Sequence, residues 1–179
     1  TYVTNTVAGR VFVVDGQQRL TTLTLILLKL LSKANTLGSK TTGWLGSKIA
    51  GYAGTERKFW MNHERHKQVL EGLLAGADPQ TIATDTGVTA ANMVRNYQTI
   101  SADLDLRLPN LHRFDTFVHY FLSRLVLINL SVDAPHVPMV FEVINDRGVR
   151  LKPYEILKGK LLGQIDKLEL DNGHFNETW

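Results

Sequence analysis

The residues between Val13 and Leu31, VVDGQQRLTTLTLILLKLL, place Asp-Gly-Gln-Gln-Arg where one apolar block hands over to another. A carboxylate, a glycine, two amides and a guanidinium at such a junction suit phosphate chemistry. A helix N-terminus presents unpaired N–H groups and a partial positive charge, and so favours an anion. Arg19 offers a bidentate fork for phosphate oxygens. Asp15 could hold a divalent ion, which a polyphosphate commonly brings with it. Gln17 and Gln18 could orient a water, as a glutamine does in some GTPases. Gly16 permits positive φ or close approach of a ligand to the backbone. Thr21 and Thr22 fall in the first helical turn and could add hydroxyl contacts. The plainer alternative is an Asp-Gly turn with Asp15 as helix cap and a solvated first turn. The chain contains neither a Walker G-x-x-x-x-G-K-[ST] string nor a Gly-x-Ser-x-Gly elbow.

A second polar junction lies in FEVINDRGVRLKPYEILKGKLL, Phe141 to Leu162. Asn145 and Gly148 suit a helix C-terminal turn in the left-handed conformation. Arg147 and Arg150 adjoin it, and Lys158 and Lys160 follow. By itself this is equally a capped turn between two helices with ordinary surface charge.

The elements that must position these residues can be read along the chain. Val11 to Val14 has strand composition, and Leu20 to Leu31 is a leucine-rich helix apolar on all sides, as expected of a buried one. Asn35 to Gly54 is rich in Gly, Ser, Thr and Lys and reads as a loop. A strand is expected over Glu56 to Met61 and a helix over His63 to Leu74. Thr89 is a candidate N-cap for a helix from Ala90 towards Leu106. Further helices are expected over Asp115 to Ser123, Val137 to Ile144 and Pro153 to about Leu168, with a strand over Leu125 to Val132. The expected fold class is α+β and helix-rich. Three segments follow: residues 1–60 as a core carrying the DGQQR box, 61–124 as a helical insertion, and 125–179 as a strand-helix-turn-helix segment completing the core. The opening TYVTNTVAG and the closing DNGHFNETW read as cut ends of something longer.

The 179 residues are 44% hydrophobic and 21% charged, ordinary for one globular domain, with a net charge of +3. That charge permits nucleic-acid contact without arguing for it. The absence of cysteine excludes disulfides and thiolate metal sites and fits a cytoplasmic location. The longest apolar run, Leu23 to Leu31, is interrupted by Lys29 and is short for a bilayer, so no membrane contact is expected.

Taken together, VVDGQQRLTTLTLILL and the later FEVINDRGVRLKPYEILKGKL resemble the N-terminal domain of GmrSD-type modification-dependent restriction endonucleases. The first box is matched from Val14 to Leu23, and the second at Phe141, Asn145, Arg147, Gly148 and Leu151. Glu155 stands where that family more often has Asp, and Lys158 matches the lysine that follows. In that family a further segment normally precedes the first box, and this chain is expected to start after it. The resemblance implies a partial ParB/sulfiredoxin-like mixed core with a helical extension. It also implies nucleoside triphosphate binding and hydrolysis with Mg²⁺, coupled to cleavage of modified or foreign DNA. On that basis Asp15, Gln17, Gln18 and Arg19 are the catalytic candidates, with Asp15 also the metal ligand. Gly16, Thr21, Thr22, Asn145, Arg147, Gly148 and Lys158 are the phosphate-binding candidates. The expected partners are DNA, a His-Asn-His-type nuclease domain supplied outside this chain, and a second copy of the domain.

Two other classes of function compete. One is a sensor that binds nucleotide or DNA phosphate in the same pocket without turnover. The other is a DNA-binding module in IATDTGVTAANMVRNY, Ile82 to Tyr97, which resembles a bacterial helix-turn-helix with its turn at Gly87. Asn92 and Arg95 would then contact DNA. Otherwise the segment is a capped helix packing Met93, Val94 and Tyr97 inward. His174-Phe175-Asn176 lacks the context of a nuclease motif and reads as tail. His63 and His66, three apart, lack a third ligand for zinc. Trp44 and Trp60 could serve base recognition, although burial is the commoner use of such residues.

Overall fold

The computed structural model describes residues 1–7, 10–53, 55–61, 66–83, 87–137 and 139–140. The chain divides into two compact units, Thr1–Gln17 with Leu127–Trp179, and Gln18–Val126. The fold class is helix-rich α+β.

In the first unit β1 (Tyr2–Val7) is the central strand of a three-stranded sheet, between β2 (Arg10–Asp15) and β5 (Asn129–Ser131). It pairs antiparallel with β2, from Val7 opposite Arg10 to Val3 opposite Asp15, with a register shift between Val3 and Thr4. It pairs in parallel with β5, Val3 opposite Leu130. Sequence reading supplied no strand at β1, because its middle is polar: Thr4 and Asn5 are buried beside Val3. Their donor groups are met by residues 125 and 127 positions away, while Asn5 Oδ1 finds no partner among the described residues. The Thr4 hydroxyl donates to Asn129 Oδ1 at 2.9 Å, and Asn5 Nδ2 donates to the Val132 carbonyl at 3.0 Å. Such pairing offsets the cost of burying amide and hydroxyl groups. The strand expected over Leu125 to Val132 contracts to Asn129–Ser131, since only that stretch finds a partner strand among the described residues.

The second unit is built from α1 (Gln17–Leu37), α2 (Thr42–Ile49), the β3 (Ala50–Ala53) and β4 (Glu56–Phe59) hairpin, α3 (Lys67–Leu74), α4 (Val88–Arg107) and α5 (Leu111–Arg124). Helical spacing of apolar residues accounts for the core: Leu25, Leu28 and Leu30 on α1, Val69, Leu70 and Leu73 on α3, Met93 and Tyr97 on α4, Phe114 and Val118 on α5. By length and mean hydropathy α1 could cross a bilayer, being longer than the run expected. In this fold its apolar face packs in the core instead. Lys29 and Lys33, one turn apart, each reach Asp105 of α4 at 2.8 Å.

Several expectations need correction. The loop expected over Asn35 to Gly54 contains the end of α1, all of α2, and β3. Gly38, at φ +66°, ends α1 in a Schellman motif, with Ser39 N–H donating to Ala34 O and Gly38 N–H to Asn35 O. Beyond it α2 buries Leu45 and Ile49 on one face, a short amphipathic pattern hidden within a Gly/Ser/Thr-rich composition. The N-cap position of α4 is Gly87, at φ +116°, and Thr89 lies inside the helix. Helix α5 begins at Leu111, four residues before Asp115, because the Asn110 side chain accepts from Arg113 N–H. Of the helix expected over Val137 to Ile144, residues 137, 139 and 140 are helical. His63 and everything from Phe141 onward lie outside the described residues, including the helix expected from Pro153.

Candidate functional site

The DGQQR box sits where β2 ends and α1 begins. Asp15 is the last residue of β2 and half-buried, and Gln17 is the first of α1, so Gly16 is the whole connection. Gly16 adopts φ +90°, a conformation that residues with a side chain rarely hold. A Cβ here would also meet Tyr2, 2.8 Å from its Cβ and 3.1 Å from its Cα. The glycine is therefore demanded by the turn and by β1. Gln17 is engaged locally as well, its Nε2 donating to the Val13 carbonyl at 2.9 Å.

From Gln18 onward the box belongs to the second unit. Gln18, Arg19 and Thr22 are exposed, and with Leu23 and Ile26 they line a shallow depression of about 330 Å³. Spacings of three, four and seven residues put this set on one helical face. The first turn of α1 carries no acidic side chain, and Arg19 lies in that turn, near the positive end of the helix. Thr21 is half-buried and does not line the depression. Leu23 and Ile26 were absent from the sequence-derived site. Their i+4 and i+7 spacing from Arg19 was the available signal, read instead as core.

The family model for the N-terminal domain of GmrSD restriction endonucleases matches residues 2–162. The chain belongs to this family. As a GmrSD N-terminal domain it has a role in restriction, a phage-defence activity. No curated protein and no solved structure matches it. The match spans both boxes, although Asn145, Arg147, Gly148 and Lys158 of the second lie outside the described residues.

Elsewhere in this GmrSD domain, the stretch before Gly87 holds a 3-10 turn at Pro79–Thr81, and Ile82 and Ala83 are not helical. Residues 84–86 lie outside the described set. On α4, Arg95 donates to Asn92 Oδ1 at 2.5 Å, while Met93, Val94 and Tyr97 are buried. Among the described residues no group of three or more His, Cys, Asp and Glu is placed to hold a metal ion. Trp60, expected to be buried, is 66% exposed, and Trp44 lies on α2 with its ring 5.5 Å from that of His119.

Proposed function

We propose that the first turn of α1 binds the phosphates of a nucleoside triphosphate and that the domain hydrolyses it to regulate cleavage of modified or foreign DNA. The observation that carries this reading is the exposed Arg19, lining one depression with Gln18 and Thr22 at the positive end of α1. Arg19 clamps phosphate oxygens, Thr22 adds a hydroxyl, and Gln18 orients the attacking water. Charge placed in advance of the reaction is most of what phosphoryl transfer requires from a protein. Gly16 and Gln17 take a different role in this reading, shaping the turn through Tyr2 and Val13.

A single carboxylate, Asp15, fits Mg²⁺, which takes one or two carboxylates and completes its shell with waters and phosphate oxygens. Mg²⁺ is the ion that the family resemblance pairs with the nucleoside triphosphate, and it would supply neutralising charge. The second box adds Asn145, Arg147, Gly148 and Lys158 by family resemblance. We assign the sheet β2-β1-β5 to the ParB-like core, with DNA and a nuclease domain as the partners. A cytoplasmic location accords with this role, since nucleotide and invading DNA meet there.

One observation favours binding without turnover as a second reading. Gln17 already donates to Val13, leaving Gln18 as the glutamine of the box that lines the depression. Phosphate release from a panel of nucleoside triphosphates with Mg²⁺, wild type beside Arg19→Ala, separates the two. Release that depends on Arg19 supports hydrolysis. Nucleotide-dependent thermal stabilisation without release, lost in Arg19→Ala, supports the sensor. If neither appears, the box is a structural turn.

A further inference from the structure

Trp60 is a large aromatic side chain that neither the core nor the nucleotide reading accounts for. Three contacts fix it. Its backbone N–H donates to Ile49 O at 3.1 Å, and its indole Nε1–H donates to Ser47 O at 2.8 Å. The ring rests on Gly51 of β3, where a Cβ would fall 2.3 Å from Cη2 and 2.4 Å from Cζ2. Glycine at 51 is what lets the indole come down onto the strand. Held by an edge and a face, the residue is still 66% exposed. Most of the apolar area that makes tryptophan valuable in a core is thus left in water.

Helix α2, which accepts the indole N–H, and strand β4, which leads into Trp60, each carry a lysine. Lys58 on β4 is the cross-strand partner of Gly51, and Lys48 directly follows the Ser47 that accepts the indole N–H; both are exposed. A polyanion carrying flat rings is complementary to both parts. We propose that Trp60 is a stacking platform for an unpaired nucleobase of DNA, with Lys48 and Lys58 meeting the adjoining phosphates. Stacking on an aromatic ring is tolerant of base identity, and the lysine contacts impose salt dependence. This inference is independent of nucleotide binding at α1.

The test isolates Trp60 as the reporter. The chain has three tryptophans, so Trp44→Phe and Trp179→Phe leave Trp60 as the one indole, excited at a wavelength that tyrosine does not absorb. This chain is titrated with oligothymidylate and with a duplex of equal length. Quenching by the single strand is expected. In the otherwise native chain, Trp60→Ala should bind single-stranded DNA about ten-fold more weakly, with Trp60→Phe keeping most of the affinity. Gly51→Ala should weaken binding similarly, because the new methyl displaces the indole while leaving it present. Lys58→Ala should flatten the dependence of affinity on salt, which Trp60→Ala should not. Circular dichroism melts confirm folding of each variant, and Trp60→Phe and Gly51→Ala carry the test if Trp60→Ala does not fold. Unchanged Trp60 emission at saturating DNA, wild-type affinity in folded Trp60→Ala and Gly51→Ala, or quenching by duplex alone would each overturn the proposal. So would Trp60-dependent dimerisation in sedimentation without quenching.

Discussion

A Cβ added to Gly16 would lie 2.8 Å from the Cβ of Tyr2, closer than such atoms approach in folded proteins. The glycine of the DGQQR box is thus held in place by the second residue of β1. Gly16→Ala combines that contact with a φ of +90°, so it should destabilise the domain by about 1–3 kcal/mol. For a chain of this length, each kcal/mol should lower Tm by roughly 2–4 °C. A thermal melt checks it, and a melt like wild type would mean the turn opens without cost.

Arg19→Ala and Gln17→Ala should separate chemistry from scaffold. Arg19 is exposed, so even with its surface interaction lost, its removal should cost no more than about 1 kcal/mol. Phosphate release should fall about 100-fold, as when one preorganised donor is removed. Gln17→Ala loses the bond to Val13 and should cost about 0.5–1 kcal/mol in a urea melt.

Asp105 should make stability depend on pH and salt. Burial pushes its carboxyl up, but hydrogen bonds and charge from Lys29 and Lys33 outweigh this and hold it below its ordinary value. A depressed carboxyl contributes stability above the unfolded value of about 3.9, lost as pH falls through the folded one. Its side chain is half-exposed, which limits the contribution to about 1 kcal/mol. The stability gap between wild type and Asp105→Asn should therefore be full at neutral pH. It should shrink in acid and in high salt.

Asn110→Ala should cost about 1 kcal/mol by removing the side chain that accepts from Arg113 N–H. Asn110→Asp retains an acceptor there and should melt close to wild type. Urea titrations of the three proteins give the comparison.

Much of this domain was legible in residue order because its signals are local. The strand-to-helix junction at Asp15–Gln17, the leucine-rich α1 and the helix-rich α+β class follow from composition and periodicity over short windows. The DGQQR and NDRG strings carried the family resemblance, since a string of residue types at set spacing is read without reference to the fold. Other features depended on contacts between residues distant in sequence. Strand β1 is supported by Asn129 and Val132, which accept hydrogen bonds from its buried Thr4 and Asn5. Helix α2 needs the shared core to bury Leu45 and Ile49. The box itself was partitioned by tertiary structure, which set Gly16 against Tyr2 and left Arg19 open to solvent. Trp60 shows the limit most plainly. Its type suggested burial, whereas the bare backbone of Gly51 and the carbonyl of Ser47 hold its ring at the surface, because exposure is settled by which atoms arrive from elsewhere in the chain.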